Sequence, residues 1–111
     1  MNEYGLFGSF PLSSYSINEH VRGYGPGAYL LGYISGSNFY VQRVGRSDSD
    51  LNSRLHDYVG KYHAFQYVFF ETARDAFYKE CRLYHEFDPD DNFIHPDKPT
   101  GTNYICPVCS Q

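Results

Sequence analysis

Residues 27–46, "GAYLLGYISGSNFYVQRVGR", constrain the fold more than any other stretch. Two apolar and aromatic runs, 27–34 and 39–46, are separated only by "SGSN". Runs of this length around a Gly/Ser/Asn turn form a β-hairpin. Its two faces then need covering. "SDSDLNSRLHDYVG" (47–60) reads as a short helix, with Ser47 or Ser49 able to cap it and Gly60 suited to its end. "FQYVFFE" (65–71) is a third strand, β-branched and aromatic. Thr72 caps a longer helix, with Asp75 three residues on in a variant of the capping box. The order strand, strand, helix, strand, helix predicts an α+β domain: a small three-stranded antiparallel sheet flanked by helices. Residues 1–26, rich in Gly, Ser, Tyr and Pro, show no clear period. They read as an irregular N-terminal arm with one short helical turn near 17–21. From Asp88 onward Asp, Asn, Pro and Gly predict loop and tail.

A chain of 111 residues is expected to make one domain with one modest core. No apolar run approaches the ~18–20 residues of a membrane span. "MNEYGLFGSFPL" lacks the basic and apolar regions of a signal peptide. The three cysteines are an odd count, two of them in a terminal "CPVC". That favours a reducing, cytoplasmic compartment and metal binding over a disulfide framework. The net charge of −4 is not that of a protein held to nucleic acid mainly by phosphate neutralisation. The charge is uneven, however. Residues 43–61 carry Arg43, Arg46, Arg54 and Lys61 against three aspartates, whereas 86–97 carry five acidic residues and no Lys or Arg. Any phosphate-binding face therefore belongs to the first segment, on Arg43, Arg46 and Arg54.

Each helix carries a charge at or beside its apolar face. At ~100° per residue, Ala73, Ala76, Phe77, Cys81, Tyr84 and Phe87 share one face of the long helix, and Glu80 falls near its centre. On the short helix, Arg54 sits at the edge of the stripe formed by Leu51, Leu55, Tyr58 and Val59. Burying either ion alone would cost several kcal/mol. Two arrangements avoid that cost. One is a structural Arg54–Glu80 ion pair. The other is a pocket in which Glu80 holds a metal and Arg54 an anion such as phosphate.

The spacing of these residues points to the second arrangement. "GAY" opens the first strand, "RVGRS" closes the second, and Arg54 follows nine residues after Gly45. Glu80 lies four residues after Ala76 in "AFYKE", and Asn92 twelve residues after Glu80. Over residues 27–92 this layout resembles the GIY-YIG nuclease domain. The resemblance implies hydrolysis of phosphodiester bonds in nucleic acid, with DNA the expected partner, using one divalent metal, Mg2+ or Mn2+. It implies Tyr29 as general base, Arg54 on the phosphate, Glu80 as the metal ligand and Asn92 as a supporting residue. The family's second tyrosine has no match, since Arg43 stands at that position. Arg43 would act as a further phosphate clamp, or would mark a non-catalytic nucleic-acid-binding or protein-interaction module. Tyr40, three residues away on a strand, would point to the opposite face. Relatives often carry a histidine after the helix arginine; here the residue is Tyr58, with His56 two positions earlier. Family members usually add a separate recognition domain. Specificity here would come from residues 1–26, a homodimer or a separate targeting protein.

"CPVC" supplies two thiolates spaced to hold zinc. Cys81 and His85, four apart on the long helix, are expected to join Cys106 and Cys109, with His95 competing as the fourth ligand. Such a site in the 93–111 tail would be structural and would compensate for a small core.

Overall fold

A computed structural model describes residues 1–110. The seven elements are Phe7–Pro11 (β1), Ser14–His20 (α1), Gly27–Ser35 (β2), Asn38–Ser47 (β3), Leu51–His56 (α2), Ala64–Phe69 (β4) and Ala73–Phe87 (α3). The α+β class holds, but the sheet has four strands rather than three, in the order β1-β4-β2-β3 and antiparallel throughout. The added strand comes from the segment expected to be irregular. "FGSFP" is short and shows no alternation, so nothing local marks it as a strand. The open edge of β4 imposes the conformation by pairing with it, and Pro11 is tolerated because β1 is an edge strand. The helix that follows starts at Ser14, capped by Ser13, whose hydroxyl accepts the Ser16 N–H.

The sheet divides the core in two. On one face Tyr29, Leu31 and Phe65 pack against Ile17 of α1 and against Leu51 and Leu55 of α2. On the other, Ala28, Leu30 and Val44 pack against Leu83 of α3. Strand alternation explains the division, since neighbours along β2 face opposite sides. It also separates the side chains of β3, because cross-strand partners share a face. Gly45, paired with Tyr29, lies on the α2 side, and Arg46, paired with Ala28, lies on the α3 side.

A bulge changes one of these assignments. The register shifts between Leu31 and Gly32, so Leu31 pairs with Arg43 while Gly32 pairs with Val41, leaving Gln42 extra. Tyr40 pairs with Tyr33 and stacks on it at 5.1 Å. Tyr40 therefore shares a face with Arg43, which simple alternation over three residues does not allow.

The helix ends also differ in detail. Asp50, not Ser47 or Ser49, caps α2 by accepting the Ser53 N–H. Ser47 Oγ instead accepts from Ser49 and Asp50, folding the turn that leads into the helix. The helix stops at His56, short of Gly60. For α3, Thr72 is the cap, accepting from Asp75, worth about 1 kcal/mol.

Candidate functional site

Because β3 is an edge strand, side chains from α2 and α3 meet around its end although the helices lie on opposite faces. They form a cleft of about 270 Å3 lined by Arg46, Asp48, Ser49, Arg54, Glu80 and Asp97. Glu80 is 8% exposed. Its partner is Arg46, not Arg54: Arg46 Nη1 donates to Glu80 Oε1 at 2.7 Å, and Arg46 Nε donates to Asp48 at 2.6 Å. Strand parity aims Arg46 at α3, so it reaches the carboxylate first. Burial pushes the Glu80 carboxyl above the usual range, while Arg46 pulls it back. Arg54 is left half-exposed at the rim, donating to the Arg46 carbonyl at 3.2 Å with Asp57 at 3.7 Å. The cleft holds two guanidiniums and three carboxylates, Asp48, Glu80 and Asp97.

Tyr29 does not line this cleft. It is 1% exposed, with the Tyr58 ring 5.8 Å away. Burial pushes its phenol far above the ordinary range, Tyr58 and Glu80 add to this, and Arg54 opposes it. Arg43 turns away from the cleft as well. Its guanidinium lies over the Tyr58 ring at 5.4 Å and donates to the Asp91 carbonyl at 3.2 Å.

Asn92 sits on the open edge of β3. Its Oδ1 accepts the Val44 N–H at 2.8 Å and its Nδ2 donates to the Val44 carbonyl at 2.9 Å. One side-chain amide thus replaces a neighbouring strand, protecting an edge that would otherwise stay unpaired. Asn92→Ala should cost about 1–3 kcal/mol by leaving both groups without their partner. Urea unfolding measures this, and an unchanged midpoint would show that water replaces the amide without penalty.

A second cluster lies in the tail. One ligand atom each of His85, His95, Cys106 and Cys109 falls within 4.8 Å of all the others. This His2Cys2 group could hold a metal ion such as zinc. Cys81, expected as a ligand, is not among the four. It is buried with Phe77 and Cys106, and burial pushes its thiol well up. Both histidines join instead of one. Burial would also raise the Cys106 thiol, but the backbone N–H groups of Cys109 and Val108, with His95 beside them, bring it to about 6. His95 precedes Pro96, whose carbonyl accepts a hydrogen bond from its Nδ1.

The fold and sites define a small α+β domain with a charged cleft at a sheet edge and a His2Cys2 cluster between the last turn of α3 and the tail. Compared with family models, curated proteins and solved structures, the chain matches none. Among the described residues, no helix is long and apolar enough to cross a membrane.

Proposed function

We propose that this chain is a GIY-YIG-type endonuclease that hydrolyses phosphodiester bonds in DNA with a divalent metal, Mg2+ or Mn2+. The observation that supports it best is the cleft, where a nearly buried carboxylate from α3 and an exposed guanidinium from α2 share one wall. Three carboxylates against two guanidiniums favour entry of a cation before a phosphate. Glu80 would hold the metal, which when bound polarises the phosphate and stabilises the leaving oxygen. Arg54, free to reorient at the rim, takes a phosphate oxygen. Tyr29 would accept the proton of the attacking water only as a phenolate, after its own proton has left and its buried ring has been uncovered to the cleft. Burial, Tyr58 and Glu80 hold that proton on, and Arg54 opposes them. Asn92 keeps β3 in place. A zinc ion in the His2Cys2 cluster would have four protein ligands and no open position, so it takes no part in hydrolysis.

One observation favours a non-catalytic binding module instead. Arg43, where the family has its second tyrosine, is occupied by Tyr58 and Asp91 rather than facing the cleft. A supercoiled-plasmid nicking assay with Mg2+ or Mn2+ separates the readings. Tyr29→Phe keeps the ring and should lower nicking by about 10²–10⁴-fold, the usual contribution of a general base, with little loss of stability. Arg54→Ala should weaken both nicking and DNA binding without unfolding a half-exposed position. Full cutting by Tyr29→Phe would remove the general-base role. DNA binding by wild type with no metal-dependent cutting would establish the module.

A further inference from the structure

We propose that His85, His95, Cys106 and Cys109 bind one zinc ion, and that this ion clamps the tail so that Asp97 forms a wall of the Glu80 cleft. The proposal stands apart from the nuclease reading.

The distances support an ion. His85 Nε2 and His95 Nε2 are 3.3 Å apart, and Cys109 Sγ is 3.3 Å from His95 Nε2. With Zn–N of ~2.0–2.1 Å and Zn–S of ~2.3 Å, the edges of a tetrahedron are roughly 3.3 Å for N···N, 3.5 Å for N···S and 3.8 Å for S···S. The observed separations match the first two closely, and the remaining edges, all within 4.8 Å, need to close by about 1 Å at most.

The tautomer supports it too. His95 Nδ1 lies 2.8 Å from the Pro96 carbonyl, which can only accept, so the ring proton sits on Nδ1. In the neutral ring this tautomer turns the Nε2 lone pair to the cluster, the orientation that metal-ligating histidines owe to such an outer hydrogen bond. Cys106 is likewise prepared: the Val108 N–H points at its Sγ at 3.4 Å and the Ser110 N–H closes the turn onto its carbonyl at 3.0 Å. Two thiolates and two imidazoles favour zinc over Mg2+ or Ca2+, which take oxygen ligands.

The clamp has structural work to do. Residues 88–110 contain no helix or strand. Their buried side chains are Pro89, Pro96, Pro99 and Cys106, too little apolar surface to order so long a segment. The four ligands join the last turn of α3, the loop after Asn92 and the terminal "CPVC". His95 is thereby fixed two residues before Asp97. Asn92, bonded to Val44, fixes the same loop from the other side. Asp97 is carried to the rim shared by Arg46, Arg54 and Glu80.

The test uses the full chain, purified reduced and without added metal. Elemental analysis should find one zinc per chain. Cys109→Ser and His85→Ala, both at exposed positions, should lose it, and Cys81→Ala should keep it. Wild-type protein reloaded with Co2+ should show the visible bands of a four-coordinate ion with two thiolates, a readout that holds even if a variant fails to fold. Chelation should increase amide hydrogen exchange across 93–110 while β2 and β3 stay protected. No zinc together with no cobalt spectrum would overturn the site. So would loss of metal from Cys81→Ala alone. Unchanged exchange at 93–98 after zinc removal would overturn the clamp.

Discussion

Glu80→Gln is expected to abolish divalent-metal-dependent nicking while leaving the fold in place. A metal acting as Lewis acid contributes several kcal/mol to phosphodiester cleavage. At about 1.4 kcal/mol per tenfold, losing its ligand should lower the rate by about 10³-fold or more. The fold should survive because glutamine keeps the shape and a carbonyl oxygen that can accept from Arg46. Arg46 also retains Asp48, so no guanidinium is left without a counter-charge. Burial already opposes ionisation of Glu80, so removing its charge returns part of a desolvation cost. Nicking and thermal melting should be measured on the same preparation. Wild-type cutting would show that Glu80 does not hold the metal. A large drop in melting temperature would assign Glu80 and Arg46 to the fold, as a buried ion pair whose rupture typically costs 3–5 kcal/mol.

That pair shows where one-dimensional reading reaches its limit. The helical period of 73–87 places Glu80 on the buried face, and it is buried. A helical wheel cannot say which layer supplies the partner. Strand parity in "RVGR" could have done so: Arg46 shares a face with Val44, the side covered by α3, whereas Arg54 belongs to a helix on the other side. The hairpin and α3 were legible because each is long, periodic and locally capped. β1 was not, because its conformation comes from the edge of β4, far along the chain. The same applies to the His2Cys2 cluster. Cys81 and His85 have the right helical spacing, yet Cys81 turns toward Phe77 and the core. His95 joins the cluster instead, from the loop whose Asn92 bonds Val44. The bulge at Gln42 defeated simple alternation between Tyr40 and Arg43. Contacts set by local period were readable, and those set by a distant edge or an inserted residue were not.

Gly45 offers a test of the site's architecture that needs no assumption about activity. The Tyr29 ring crosses from β2 onto Gly45 of β3. A Cβ at Gly45 would lie 2.3 Å from Tyr29 Oη, 2.4 Å from Cζ and 2.7 Å from Cε1. Contacts this short require one side to move. The ring has little room, being buried in the same cluster as Leu51, Leu55 and Phe65. The backbone at Gly45 is held between Tyr29 and the Val44–Asn92 bonds. Gly45→Ala should therefore destabilise by about 1–3 kcal/mol, the usual cost of overpacking, and lower the melting temperature by roughly 4–8 °C per kcal/mol. The glycine is required for space, not for a left-handed backbone. A double-mutant cycle distinguishes these causes. In a Tyr29→Leu background the clashing ring atoms are gone, so adding Gly45→Ala should cost little, giving a strong coupling between the two positions. Equal costs in both backgrounds would mean that the glycine serves the backbone and that the tyrosine does not rest on it. If the coupling is found, the glycine of "RVG" and the tyrosine of "GAY" act as one unit: the missing side chain on β3 is what lets a phenol occupy the core beneath α2.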